Sequence, residues 1–284
     1  MRANEIVAIL RNPNVPDLSN SFKGQGSEPV SFGSSGDLHY VQHDKGDVAI
    51  RSIRIFLTSN TKNQRILKTA SDELGVWGRL KHDNIVPLLG VACFQEQAAL
   101  VSSWVRYGSI VDYCREHASF NRLKMSAEVA SAVAYLHGNG VIHGDIKAQN
   151  ILVSVDGHAK LAGFGNSVLR EIASHYTDGK DFATLSMRWI APEVLQGTAT
   201  KNEAVDVYAL GLTILEILTG KIPFINDSDQ EVIIKILNYI IPSRPRELDS
   251  QDELWGLLKQ CWSSNPSSRP SAAEIHSRLM GMIG

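Results

Sequence analysis

The sequence predicts an α+β chain of two lobes: a small β-rich N-terminal lobe with one main helix, then a larger, mainly helical C-terminal lobe. Three observations carry this. Residues 30–55 break into short alternating strands separated by turn residues, the pattern of an antiparallel meander. Residues 61–80 switch to a helical period, with Ile66, Ala70, Glu73, Trp77 and Leu80 on one face. From residue 123 onward helical periods dominate, and residues 203–219 are apolar nearly all round, as suits a buried central helix.

In chain order, residues 1–26 are punctuated by Asn-Pro, Val-Pro and Lys-Gly-Gln-Gly, so one short helix or strand near residues 5–10 is expected, then irregular chain. A Gly/Ser-rich turn at 32–36 leads to strands at 38–42 and 47–55. On the helix that follows, Glu73 is a carboxylate within an apolar stripe. A buried charge is very costly unless paired, so a cationic partner is expected, the alternative being a flank position whose head reaches water. Strands at 85–91 and 98–103 precede the polar Arg106-Tyr107-Gly108 connection. The helix at 123–137 carries Val129, Val133 and Leu136 on one face and stops at Gly138-Asn139-Gly140. Short strands are expected at 141–142, 151–155 and 158–161, and helices at 203–219, 232–241, 251–261 and 272–282.

The 284 residues suffice for one large domain or two lobes with a substantial core. At 43% hydrophobic and 20% charged the chain reads as a soluble globular protein, and a net charge of -2 argues against nucleic acid as the main partner. Cys93, Cys114 and Cys261 lie far apart and read as reduced thiols of a cytoplasmic protein. No signal-peptide core or bilayer-length apolar run is visible, because the run at 205–218 is interrupted by Asp206 and Glu216.

The stretch from residue 143 to 152 reads H-G-D-I-K-A-Q-N-I-L. It sets a carboxylate able to take a proton (Asp145), an ammonium to balance charge (Lys147) and an amide oxygen able to ligate a metal (Asn150) within six residues, the components phosphoryl transfer requires. Alone, this spacing is a weak signal.

Separated motifs give it weight. V-A-I-R at 48–51, Glu73 upstream of H-D-N-I at 82–85, A-P-E at 191–193, D-V-Y ending in Gly211, and C-W at 261–262 followed by Asn265-Pro266 and Arg269-Pro270 occur in one order. Together with the 143–152 stretch, they resemble the eukaryotic protein kinase domain from about residue 28 to the end. The flavour is similar to the tyrosine-kinase-like group, with Lys147 implying Ser/Thr specificity. The resemblance implies an N-terminal extension at 1–27 and a kinase domain at 28–284, divided into an N-lobe at 28–103, a hinge at 104–108 and a C-lobe at 109–284. It assigns Asp145 as base, Lys147 to charge neutralisation and Asn150 as a metal ligand. Nucleotide contacts fall on Gly33 and Gly36 of the glycine-rich loop, on Leu38, Ala49 and Leu152 around the base, on Ser103 and Val105 of the hinge, on Asp112 at the ribose edge, and on Arg51 with Glu73. Ser102 aligns with the gatekeeper, Ser186 with a hydroxyl residue that touches the catalytic aspartate, and Arg269 with the partner of the A-P-E glutamate, Glu193.

The departures bear on activity. Ser31 replaces the first glycine of the loop, which still permits a tight turn. Arg51 replaces the strand lysine; a forked guanidinium can still pair with Glu73, but it is no substitute for a compact ammonium at the phosphates. Ala162-Gly163-Phe164-Gly165 stands where the family has an apolar residue and D-F-G, so the principal Mg²⁺ ligand is missing. Phe164 keeps the apolar role, stacking with His143 and Trp77. Gly144 replaces the arginine that couples to activation-loop phosphate, so Tyr176, Thr177 or Thr184 need not act through it. Two readings follow. One is a catalytically impaired kinase-fold signalling protein that binds ATP weakly, doubtfully with Mg²⁺, and works through protein contacts. The other is an active Ser/Thr kinase that transfers the γ-phosphate of ATP to a protein substrate.

Overall fold

The computed structural model describes residues 2–22, 26–33, 36–43, 46–53, 60–117, 119–169, 186–199 and 202–283. The chain divides into two compact units, Met1–Arg106 and Tyr107–Gly284.

In the first unit, β1 (Pro29–Gly33), β2 (Gly36–Val41), β3 (Val48–Ser52), β4 (Leu88–Phe94) and β5 (Gln97–Ser103) form one antiparallel sheet in the order β1-β2-β3-β5-β4. Alternation along β3 turns Val48 and Ile50 into a core with Val41, Ala92, Phe94, Ala99 and Val101. Ala49 and Arg51 then occupy the opposite face. Register adds to that face their cross-strand partners, because Leu38 and Leu100 lie opposite Arg51, and Tyr40 and Ser102 lie opposite Ala49.

Residues 1–26 are more structured than their punctuation implies. The short element near residues 5–10 is a helix, α1 (Ala3–Leu10), whose Ile6, Val7 and Leu10 are buried against β4 and β5. Beyond it, Val15 and Phe22 are also buried, and Phe22 closes the sheet core by packing edge-on against Phe94 with centroids 6.4 Å apart. The main helix, α2, runs Asn60–Trp77.

The second unit is mainly helical. Its helices are α3 (Ile110–Glu116), α4 (Arg122–Gly138), a short α5 (Pro192–Leu195), α6 (Glu203–Thr219), α7 (Asp229–Leu237), α8 (Asp252–Cys261) and α9 (Ala272–Ile283). Short strands β6 (Val141–Ile142) and β9 (Val168–Leu169) pair with each other, as do β7 (Ile151–Val153) and β8 (Ala159–Leu161). As its composition requires, α6 is buried along nearly its whole length; it packs against α4 and α8 and ends at Gly220 with φ 69°. The helices differ from expectation at several points: α2 stops at Trp77 rather than 80, and α3 and α5 were not expected. The segment expected at 232–241 begins at Asp229, because the Ser228 hydroxyl and the Glu231 carboxylate form a reciprocal capping box. It ends at Leu237, before Tyr239 turns to φ 57°. Among the described residues no helix is long and apolar enough to cross a membrane.

Candidate functional site

The 143–152 stretch is held from beneath by α6. Asp206, fully buried, accepts hydrogen bonds from the His143 N–H at 2.8 Å, the Gly144 N–H at 2.8 Å and His137 Nε2 at 3.0 Å. Burial pushes this carboxylate up, but the His137 bond, the His137 and His143 fields and the Gly144 N–H together hold it below the usual range. Nearly three helical turns later, Glu216 Oε2 accepts from the Ala148 N–H at 3.1 Å and the Trp189 indole at 3.2 Å. Burial pushes Glu216 up to about 7, against the pull of those two donors and Lys147. Both acids interrupt an apolar run in the sequence, and Asp206 also opens the D-V-Y motif, but no role in holding the loop backbone was read for either. An acid inside an otherwise all-apolar helix is the signal that finds them.

On this base the expected side chains converge. Asp145 Oδ1 accepts from the Ser186 hydroxyl at 2.7 Å, and Lys147 Nζ lies 2.6 Å from that hydroxyl and 3.3 Å from Asp145 Oδ2. Asn150 Nδ2 donates to the Asp145 backbone carbonyl at 2.7 Å and to its Oδ2 at 3.0 Å. The Asp145 carboxylate therefore faces three donors, all of them from the second unit.

Gly163 lies against Asn150 with φ 85°, in the left-handed region. A Cβ built there would stand 2.6 Å from Asn150 Cγ, 2.7 Å from Nδ2 and 2.8 Å from Oδ1. The Asn150 amide thus fills the space in which a side chain at 163 would begin. Beside it Phe164 is fully buried and meets His143 edge-on at 5.2 Å, while His143 Nε2 lies 3.0 Å from the Ala162 carbonyl. Trp77, expected in the same stack, belongs to the first unit, where its indole donates to the Val86 carbonyl at 2.6 Å.

The first unit carries the other candidate residues. Arg51 Nη2 meets Glu73 Oε1 at 2.5 Å, which supplies the cation expected for this buried glutamate. The pair uses one guanidinium nitrogen rather than a fork. Gly33 and Gly36 are register partners at the β1–β2 turn, whose residues 34 and 35 lie outside the described ones. Gly36 has φ 142° and a Cβ there would collide with the Ser52 carbonyl, so only glycine fits. Leu38, Ala49 and Arg51 share a sheet face, as set out above. In the hinge, the Ser103 N–H donates to the Pro87 carbonyl at 3.2 Å and the Trp104 N–H to Asp47 at 3.0 Å, so neither is open to a base. Val105 is buried, and among the described residues its N–H has no acceptor.

In the second unit Leu152 pairs with Lys160 across the β7–β8 hairpin and bridges to Ser109. Asp112 is already engaged at both oxygens, by the Ser109 hydroxyl at 2.6 Å and Arg115 at 3.1 Å. Tyr176, Thr177 and Thr184 lie outside the described residues. Past them, Glu193 and Arg269 form two parallel bonds of 2.6 and 2.9 Å, and Arg269 also donates to the carbonyls of Ala204 and Ser263.

Comparison with known proteins bears on the family of the chain. The family described as "Protein tyrosine and serine/threonine kinase" matches residues 30–279. The serine/threonine-protein kinase STY17 of Arabidopsis thaliana is 28% identical over 259 residues, covering 89% of this chain and 44% of that protein. From the same organism, mitogen-activated protein kinase kinase kinase YODA is 29% identical over 87% of this chain and 28% of its own length. Mitogen-activated protein kinase kinase kinase 3 is 31% identical over 82% of this chain and 38% of its own length. The chain thus spans less than half the length of these relatives. With the family match running through both units and every motif quoted above, the chain belongs to the protein tyrosine and serine/threonine kinase family.

Proposed function

We propose that this chain is a kinase-family signalling domain impaired in phosphoryl transfer, which acts through nucleotide and protein binding. The observation that carries the reading is the Gly163–Asn150 contact. Mg²⁺ is held by near-octahedral oxygen ligands, with one or two carboxylates among them. Here residue 163 has no carboxylate, and Asn150 is turned into its space and bonded to Asp145. Both oxygens of Asp145 are in turn engaged by Ser186, Lys147 and Asn150. These residues do not fit a divalent cation. Metal stabilisation of transferring charge is worth several kcal/mol, and ~1.4 kcal/mol is tenfold in rate, so the expected impairment is orders of magnitude. Arg51 retains its bond to Glu73, which supports a domain that keeps its geometry and can still offer an anionic nucleotide a cation.

A second reading, an active or weakly active serine/threonine kinase, is favoured by one observation: Asp145, Lys147 and Ser186 are assembled at hydrogen-bond distances. A thermal-shift titration with ATP, in EDTA and in Mg²⁺, separates the two when paired with a phosphotransfer assay. A shift of equal size in both buffers, without transfer, supports the first reading. Transfer that disappears in Asp145→Asn establishes the second. Gly163→Asp with Arg51→Lys should raise transfer sharply; a doubly restored protein that stays inert would show that the defect lies elsewhere.

A further inference from the structure

We infer that residues 2–22 are a clamp that holds α2, and with it Glu73, at Arg51. β4 is an edge strand, and the outward N–H groups of such a strand otherwise face water or a foreign strand. Here the N-terminal segment takes them. Val91 N–H donates to the Pro16 carbonyl at 2.9 Å, Leu18 N–H returns to the Val91 carbonyl at 2.7 Å, and Cys93 N–H donates to the Ser19 hydroxyl at 2.8 Å. The approach is close enough to require glycine at position 90, where a Cβ would meet the Pro16 carbonyl and stand 3.0 Å from the Leu18 side chain.

The same segment reaches α2. Val15 is completely buried, and a Cβ at Gly78, the residue that follows α2, would lie 2.6 Å from Val15 Cγ2 and 3.5 Å from the Asn14 carbonyl. α1 packs against α2 as well as against β4 and β5. Glu73 lies on the last turns of α2, one turn before this contact. Its partner Arg51 is on β3, so the ion pair persists only while α2 stays fixed relative to the sheet, and residues 2–22 are bonded to the sheet and packed on the helix at once. Leu74, Val76 and Trp77 bury the rest of the helix end. Val15 is therefore a positioning residue for the Arg51–Glu73 pair, acting through the end of α2.

The test is amide exchange on the full chain, comparing wild type with Val15→Asp and the milder Val15→Ala. A Phe22→Ala variant is the control: Phe22 lies beyond the backbone bonds to β4, and its loss weakens the sheet core, where it packs on Phe94. The expectation is exchange at least about tenfold faster over the last two turns of α2 in Val15→Asp, with a smaller change in Val15→Ala and none specific to α2 in Phe22→Ala. Unchanged α2 protection in a Val15 variant whose Val91 and Cys93 amides have become exposed would overturn the clamp, and so would equal acceleration in Phe22→Ala. If Val15→Asp does not fold, Val15→Ala decides. A second arm rests on the nucleotide binding proposed above. Val15→Ala should weaken ATP binding about threefold or more in the wild-type background and add nothing in Glu73→Gln, since both changes act through one pair. Equal weakening in both backgrounds contradicts the inference. Absence of ATP binding in every background counts against the nucleotide reading alone, and the exchange result then stands by itself.

Discussion

Gly163→Asp restores the family's aspartate at the position where this structure has least room for it, so its effect on stability can be worked out before any activity is measured. The backbone at 163 has φ 85° and ψ 43°, and the left-handed region costs a residue with a Cβ about 1–2 kcal/mol, toward the low end for aspartate. The new Cβ would lie 2.6–2.8 Å from three atoms of the Asn150 amide, which must therefore turn away. In doing so Asn150 gives up its bonds to the Asp145 carbonyl at 2.7 Å and to Oδ2 at 3.0 Å. A neutral bond is worth about 1 kcal/mol net and one to a charged group about 1.5–3, so the total loss is roughly 3–5 kcal/mol. At roughly 2–4 °C per kcal/mol for a domain of ~150–250 residues, Tm should fall by about 10 °C.

The assay is urea and thermal unfolding of wild type and variant in EDTA and again in millimolar Mg²⁺. Wild type should show the same stability in both buffers. The variant should be destabilised in EDTA and recover part of the loss in Mg²⁺, because the new carboxylate then gains a cation that only the folded state binds. Gly163→Ala separates the terms: it keeps the steric cost without the charge, so it should lose a similar ~3–5 kcal/mol and show no response to Mg²⁺. A Gly163→Asp protein as stable as wild type in EDTA would refute the claim that Asn150 fills the site.

Three further outcomes follow from the supports of the loop. In Glu216, burial lifts the carboxylate to about 7, so between the unfolded value near 4.3 and about 7 the native state holds the extra proton and stability falls as pH rises. Glu216→Gln keeps an acceptor for Ala148 and Trp189, so its urea stability relative to wild type should rise across that window by up to ~3 kcal/mol; a difference flat with pH would contradict the burial argument. Arg269→Ala leaves the Glu193 carboxylate buried without its partner and should cost ~3–5 kcal/mol in denaturant unfolding, with Arg269→Lys intermediate because it cannot form two parallel bonds. Asp206→Asn leaves the His143 and Gly144 N–H groups competing for one carbonyl oxygen; a loss of ~2–4 kcal/mol, with those two amides exchanging faster, is expected.

Much of the molecule was legible because its signals are local. The helices at 123–137, 203–219 and 251–261 announce themselves by period and stop residues, and the structure places them within a residue of those bounds. The partner for Glu73 followed from the cost of a lone buried charge, and Arg51 supplies it. What escaped has no period. Residues 12–19 dock by backbone bonds to β4 and by one valine, and neither leaves a trace in the order of apolar and polar residues. The start of α7 was readable, since Ser228 and Glu231 have capping-box spacing, but the apolar run beginning at Val232 outweighed it. The seat of Asn150 against Gly163 was not readable, because it depends on which neighbour lacks a side chain two strands away.

That contact bears on how the loop keeps its bonds where residue 163 has no carboxylate. Removing a carboxylate from a site built for a cation normally leaves something unpaired, and an orphaned charge in a half-buried loop is expensive. Here nothing is left over. Asn150 turns both its amide bonds to Asp145, Ser186 and Lys147 take the remaining carboxylate positions, and the vacated volume is filled by the amide itself. At the other departure, Arg51 meets the same glutamate a lysine would, so α2 keeps its electrostatic tie to the sheet. Asp206, Glu216 and the Glu193–Arg269 pair, whose work is to hold backbone, are intact and bonded. Each of these two departures is thus met by neighbours within its own unit, while Asp206, Glu216 and the Glu193–Arg269 pair keep their bonds. On the function proposed above, a domain that keeps these supports while residue 163 offers no carboxylate is suited to binding rather than group transfer.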